Sequence, residues 1–259
     1  MMSEKGAALI TGASEGIGYE LTKLFAQDGY DLVLVARNEA KLNEIADDQS
    51  RANGITVKVI ARDLSKPEAP DEIYDELKRD GITVTALVNN AGYLVYGPFA
   101  ETDLSAQLDM LQVLIWAPTK LTGLFVRDML KGKGGKILNL GSVGSFTPGP
   151  STAGYAAAKS YILSFSHAIA EELKGTNVTV TTVCPGSTRT QFASRGNVDN
   201  VFGNMYFTMS AQKVAKIAYR AFLNNRRHVV TGIHNKAVVF STRFAPLALQ
   251  AKIAKIVMS

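Results

Sequence analysis

The chain has 259 residues, 46% of them hydrophobic, enough for a sizeable core, and it reads as one domain spanning 1–259. Its one cysteine, Cys184, excludes an internal disulfide and a zinc cluster, so the thiol reads as buried and the compartment as reducing. The formal charge of +5 is uneven, because residues 200–259 hold nine Lys or Arg and no Asp or Glu; with no helix-turn-helix or zinc finger beside them, nucleic acid is not the expected partner.

The opening "MMSEKGAALI" is short and charged for a secretory signal, and no run reaches the roughly 18 apolar residues of a membrane span, so a cytoplasmic protein is expected. From there strand-like and helix-like stretches alternate. "AALITGA" leads into a helix from Ile17 to Gly29, "DLVLVA" into one from Glu39 to Asn53, and "ITVKVIA" into one from Pro67 to Asp80. "VTALVNNAG" precedes a long helix from about Thr102 to Leu130, and "GKILNLGS" precedes one from about Ala153 to Lys174, followed by "VTVTTVCPG". Near-continuous Val, Ile and Leu in the strands implies helices on both faces of a parallel sheet, a Rossmann-like doubly wound α/β fold. Only 191–210, "QFASRGNVDNVFGNMYFTMS", breaks the rhythm, and it reads as a substrate lid.

The first strand runs directly into "TGASEGIG". A strand-to-helix turn built on Gly12, Gly16 and Gly18, with Ser14, Glu15 and Ile17 between and beside them, lets backbone approach a pyrophosphate and aims a helix N-terminus at it. After the second strand stand Ala36 and Arg37, where a fold selecting NAD carries an acid. Arg37 can pair with a 2′-phosphate, so NADP(H) is expected over NAD(H), although Glu15 would repel that phosphate unless turned to solvent.

Tyr155 and Lys159, in "YAAAKS", share one face of a helix about 6 Å apart along its axis. An ammonium at that range is expected to lower the phenol's pKa and make it an acid and base near neutral pH. Ser142 lies thirteen residues before Tyr155, just past the strand "KILNL". His167, His228 and His234 are not expected to cluster, no metal is expected, and Trp116 reads as core.

With "TGASEGIG", "NNAG", Ser142, "YAAAK" and "PGSTRT" in this order, the sequence resembles the short-chain dehydrogenase/reductase family over nearly its whole length. The resemblance implies that Tyr155 exchanges the proton, Lys159 holds the nicotinamide ribose and lowers the tyrosine pKa, and Ser142 bonds the substrate oxygen. It further implies adenine contacts from Asp63 and Leu64 and a position along the adenine ribose for Asn90, Ala91 and Gly92. Pro185, Gly186, Thr188 and Thr190 would close over the nicotinamide, and the protein would be a homodimer or homotetramer. The chain departs from the family at Leu114, which replaces an Asn that helps hold a proton-relay water. Pro118, four residues on, has no N–H for the Leu114 carbonyl, so that carbonyl is expected to hold the water instead.

The expected reaction interconverts a ketone and a secondary alcohol on a small apolar molecule, the alternative being an idle NADP(H)-binding sensor. Tyr93, Leu94, Tyr96, Ser145 and Phe146 are the expected pocket walls, joined by Phe192, Met205, Tyr206 and Phe207 of the lid. The tail, 246–259, reads as a basic amphipathic helix expected to pack on a neighbouring subunit or over the pocket, membrane-surface contact being the less favoured reading.

Overall fold

A computed structural model of the chain describes residues 4–190 and 208–258. The first half runs β1 (Ala7–Thr11), α1 (Gly16–Gln27), β2 (Asp31–Ala36), α2 (Glu39–Asn53), β3 (Val57–Ala61), α3 (Ala69–Arg79) and β4 (Val84–Asn89). Then come α4 (Leu104–Leu111), α5 (Ala117–Lys131), β5 (Gly135–Leu140), α6 (Ala153–Glu172) and β6 (Val178–Cys184). The last part holds β7 (Thr188–Arg189), β8 (Met209–Ser210), α7 (Ala211–Leu223), β9 (His228–Val230), α8 (Ile233–Thr242) and α9 (Leu247–Met258).

Seven strands form one parallel sheet in the order β3-β2-β1-β4-β5-β6-β9. Successive side chains leave a strand on opposite faces. Ala7 and Leu9 of β1 therefore join Ile73, Leu121 and Phe125 in one core layer, while Ala8 and Ile10 join Leu21, Phe25 and Phe222 in the other. Both faces are covered, as the apolar strands require. The chain winds outward in both directions from the β1–β4 pair, and in such sheets the crevice at the carboxyl ends of those strands receives ligands. No helix among the described residues is long and apolar enough to cross a membrane.

The expected long helix before β5 is present but is not uniform. Between α4 and α5, Gln112–Trp116 forms a π turn in which the Ala117 N–H reaches back to the Gln112 carbonyl. Pro118 is the cause: it offers no N–H to Leu114 and its ring crowds that carbonyl, and one extra residue per turn accommodates both. Trp116, expected in the core, is 49% exposed and donates its indole N–H to the Pro67 carbonyl at 3.3 Å. The widened turn swings it outward. His167 and His228, expected apart, lie with ring centroids 4.9 Å apart and planes tilted by 54°, because the start of β9 comes beside α6.

Residues 191–207 of the expected lid lie outside the described residues; the rest, 208–210, leads through β8 into α7. The tail forms the expected helix, α9, but its stripe of Leu249, Ile253 and Ile256 is exposed and does not cover this chain's own pocket.

Candidate active site

The turn after β1 is held by its glycines. Gly12 and Gly16 have φ of +65° and +56°, a region that residues with a Cβ rarely enter. A Cβ on Gly18 would stand 2.1 Å from the Gly12 carbonyl oxygen, so α1 could not start so close to the turn with any other residue. Glu15 occupies the N-cap of α1 without bonding a first-turn N–H through its side chain, and the positive end of the helix faces the crevice uncapped. Ser14 is half-buried in the turn, and Ile17 turns back onto the core.

Asn90 braces this turn from β4. Its side-chain amide donates to the carbonyls of Thr11 and Gly12 at 2.9 and 3.2 Å, and Thr11 Oγ1 accepts from the N–H groups of Asn90 and Ala91. The side chain thus lies against the glycine turn, leaving Ala91 and Gly92 as the segment that runs on along the crevice.

Ser142, Tyr155 and Lys159 converge at the carboxyl end of β5. Ser142 caps a short 3-10 turn, Val143–Phe146, and its Oγ accepts from the Gly144 N–H at 3.1 Å. The hydroxyl proton is left for the Tyr155 phenol, to which Ser142 is hydrogen-bonded. Lys159 is buried, with Nζ donating to the Leu140 carbonyl at 2.6 Å and lying 5.7 Å from the centroid of the Tyr155 ring.

Burial pushes the Tyr155 phenol up to about 12, and the bond from Ser142 offsets only part of that. Burial pushes Lys159 down to about 8. The expected lowering of the tyrosine pKa is not reached, because desolvation of the phenol is the largest influence on it. Cys184 beside them is a buried thiol, pushed up to about 12 by the same lack of water.

Ser145, expected in the pocket wall, is instead a buried strut. Its Oγ accepts from the Ser142 N–H at 3.1 Å and donates to the Lys159 carbonyl at 2.8 Å, tying the serine turn to α6. Leu94 is likewise buried at 3% exposure, while Tyr93, Tyr96 and Phe146 are half-buried. The wall residues Phe192, Met205, Tyr206 and Phe207 lie outside the described residues.

Leu114 fills the space opposite Gly92, where a Cβ would stand 2.7 Å from Leu114 Cδ2 and 4.0 Å from Lys159 Nζ. Beside it is a cavity of about 10 Å³ lined by Leu114, Pro118, Lys159 and Asn89 among others, room for one water. Asn89 was not anticipated. Its amide donates to Asn139 Oδ1 at 2.8 Å and Thr122 Oγ1 at 3.1 Å, and Asn139 donates to Ser166 at 2.8 Å. Asn89 Oδ1 is buried and accepts nothing from the described residues. The signal was available, since "VNN" and "LNL" set asparagines in otherwise apolar strands.

Arg37 is exposed at the end of β2 and forms no ion pair among the described residues. Asp63, just past β3, accepts from the Ser65 N–H at 3.0 Å, and Leu64 is buried in the core below. Pro185 accepts from the Val143 N–H at 2.8 Å, Thr188 donates to the Gly186 carbonyl at 2.9 Å, and a Cβ on Gly16 would meet Thr190 Cγ2 at 3.1 Å. The loop after β6 therefore spans from the serine turn to the glycine turn.

Among known proteins, the family model described as short chain dehydrogenase matches residues 6–200. A very-long-chain 3-oxoacyl-CoA reductase of Phaeosphaeria nodorum is 38% identical over 173 residues, 64% of this chain and 50% of that protein. The chain thus spans about half the length of such reductases. Sulfoacetaldehyde reductase 2 of Chromohalobacter salexigens is 34% identical over 186 residues, 71% of this chain and 73% of that one. Among solved structures, a short-chain dehydrogenase from Sphingobium yanoikuyae in complex with NADPH superposes with a TM-score of 0.84 at 28% identity, covering 94% of each chain.

The asparagine chain beneath the site generates a prediction. Asn139→Ala removes the partner of both Asn89 and Ser166 in a dry interior and is expected to cost about 2–4 kcal/mol in urea unfolding. A loss below about 1 kcal/mol would show that the network does not hold β4 and β5 in place.

Proposed function

Because the chain belongs to the short chain dehydrogenase family, we propose that it is an NADP(H)-dependent oxidoreductase interconverting a ketone and a secondary alcohol on a small apolar molecule. The observation that carries this reading is the Ser142 hydroxyl bonded to the Tyr155 phenol above the buried ammonium of Lys159.

The glycine turn, the uncapped α1 and the tight Gly18 contact fit a dinucleotide pyrophosphate, and the loop 185–190 and Lys159 fit its nicotinamide half. Bound there, the nicotinamide supplies or receives the hydride. Tyr155, held protonated at neutral pH, donates its proton to the substrate oxygen as charge develops on it. Ser142 donates a hydrogen bond to the same oxygen, and the charge of Lys159 stabilises the tyrosinate left behind. In the opposite direction that tyrosinate takes the proton back.

Replacement of the proton is routed through Lys159. The single-water cavity beside Leu114 and Pro118, lined also by Asn89, whose Oδ1 accepts nothing from the described residues, supports a relay water resting on the Leu114 carbonyl despite the missing asparagine. Leu114 also favours a second reading, a binder of NADP(H) with little turnover. Arg37 at the end of β2 supports the phosphorylated dinucleotide, as does the NADPH complex of the Sphingobium relative. The 3-oxoacyl-CoA reductases support a carbonyl on an apolar chain. Leu104 and Leu108, 60% and 57% exposed on α4, support a homo-oligomer joined there.

Tyr155→Phe is expected to reduce NADPH-dependent turnover of a panel of apolar diketones by more than about a hundredfold while NADPH affinity stays nearly intact. A variant that keeps more than about a hundredth of the rate contradicts the acid role, and a wild-type protein that binds NADPH tightly but turns over no diketone favours the second reading.

Arg37→Asp exchanges a phosphate partner for a ribose partner. The ratio of NADPH to NADH affinity, measured by fluorescence titration, is expected to fall about ten- to a hundredfold, the worth of one charge-assisted contact. An unchanged ratio removes Arg37 from the cofactor site.

A further inference from the structure

We propose that α8 and α9 form a docking face by which this protein rests on an anionic membrane surface. α8 is seated on the body, and α9 on the end of α8, each through its less apolar side. In α9 the anchor is Gln250, whose amide donates to the carbonyls of Thr242 and Ala245 at 2.9 and 2.7 Å, flanked by half-buried Ala251 and Ala254. Leu249, Ile253 and Ile256, at i, i+4 and i+7, fall on the opposite side. In α8 the anchor is Val239, buried with Cys184 and Val230. Ile233 and Phe240, a heptad apart, face outward, and Phe244 extends their line with its ring 5.2 Å from that of Phe240.

Ile233, Phe240, Phe244, Leu247, Ile253 and Ile256 are each more than half exposed. A water-facing surface rarely keeps so many large apolar side chains on consecutive elements. Exposed Lys236, Arg243, Lys252 and Lys255 stand among them, and residues 200–259 hold nine Lys or Arg and no Asp or Glu. That charge selects the occupant. A second copy docked face to face would bring these like charges together, whereas anionic headgroups accept the cations while the apolar stripes enter the acyl boundary.

The far side of α8 reaches the site. Asn235 presses on the loop after β6, where a Cβ on Gly186 would meet its Nδ2 at 2.2 Å, and Val239 packs with Val143 and Phe146 of the serine turn. One helix therefore joins the docking face to the Ser142 turn. On the reading above, this suits an enzyme whose apolar substrate partitions into lipid.

The test is sedimentation of the full chain with vesicles of phosphatidylcholine alone and of phosphatidylcholine containing phosphatidylserine. The wild type is expected to sediment with the anionic vesicles and to be released by salt. Lys252→Gln with Lys255→Gln is expected to weaken partitioning about thirtyfold, about 2 kcal/mol at about 1 kcal/mol per lysine. Phe244→Glu with Ile256→Glu, at exposed positions that leave the melting temperature unchanged, is expected to abolish it. Equal binding to neutral vesicles that the lysine variant does not alter would overturn the proposal. So would no binding to either vesicle together with a dimer in buffer that the glutamate variant dissociates, which would make the face a contact between copies. None of these readouts depends on turnover, so failure of the docking face and failure of the oxidoreductase reading are separable.

Discussion

Lys159 carries an ammonium into a place where the fold has little water to solvate it, and the arrangement of the site follows from that constraint. Removing such a group from water costs several kcal/mol unless it is hydrogen-bonded. The Leu140 carbonyl at the end of β5 supplies the bond, and the remaining cost is visible in the lysine's depressed pKa of about 8. The same dry surroundings hold Tyr155 protonated. A neutral phenol and a reluctantly charged amine, both anchored to the end of one strand, form a proton donor with its charge support directly beneath.

Holding them there takes more than helix spacing. Ser145 ties the Lys159 backbone to the Ser142 turn, so the loop and the helix that carry the three side chains are joined by hydrogen bonds. Below them, Asn89 and Asn139 link β4, β5, α5 and α6 through Thr122 and Ser166 in the buried interior. Buried polar chains of this kind fix one register among strands whose Val and Leu faces would tolerate several. The glycine turn is fixed in the same manner, by Asn90 and Thr11 and by a Gly18 contact too close for any side chain.

Much of this was legible in the sequence because it rests on local pattern. Uninterrupted Val, Ile and Leu runs alternating with helical periods announced the doubly wound sheet, and the boundaries of α2 were read to the residue. Glycines that must adopt positive φ, and a Tyr and Lys four apart, are likewise local signals. What could not be read depends on solvent and on distant neighbours. Spacing places Lys159 near Tyr155 but does not show how completely the phenol is withdrawn from water, and so the sign of the tyrosine shift was missed. Ser145 reads as a pocket wall until α6 is seen beside it. Trp116 turned outward because Pro118 widens the helix, a change in phase that a 3.6-residue period does not contain. The outward stripe of α9 has the same origin: amphipathicity locates an apolar face but does not say which way the helix is laid down.

The account turns on the charge of Lys159 supporting proton donation by Tyr155, and the pH dependence of kcat/KM for NADPH in carbonyl reduction tests it most directly. Because burial holds the lysine at about 8, its charge is present below that pH and is lost above it. The rate constant is therefore predicted to be level through neutrality and to fall about tenfold per pH unit above about 8, with Lys159→Arg, whose charge persists, retaining whatever rate it has to higher pH. A wild-type profile that stays level to about pH 10, or one whose fall is unchanged in Lys159→Arg, would contradict the account.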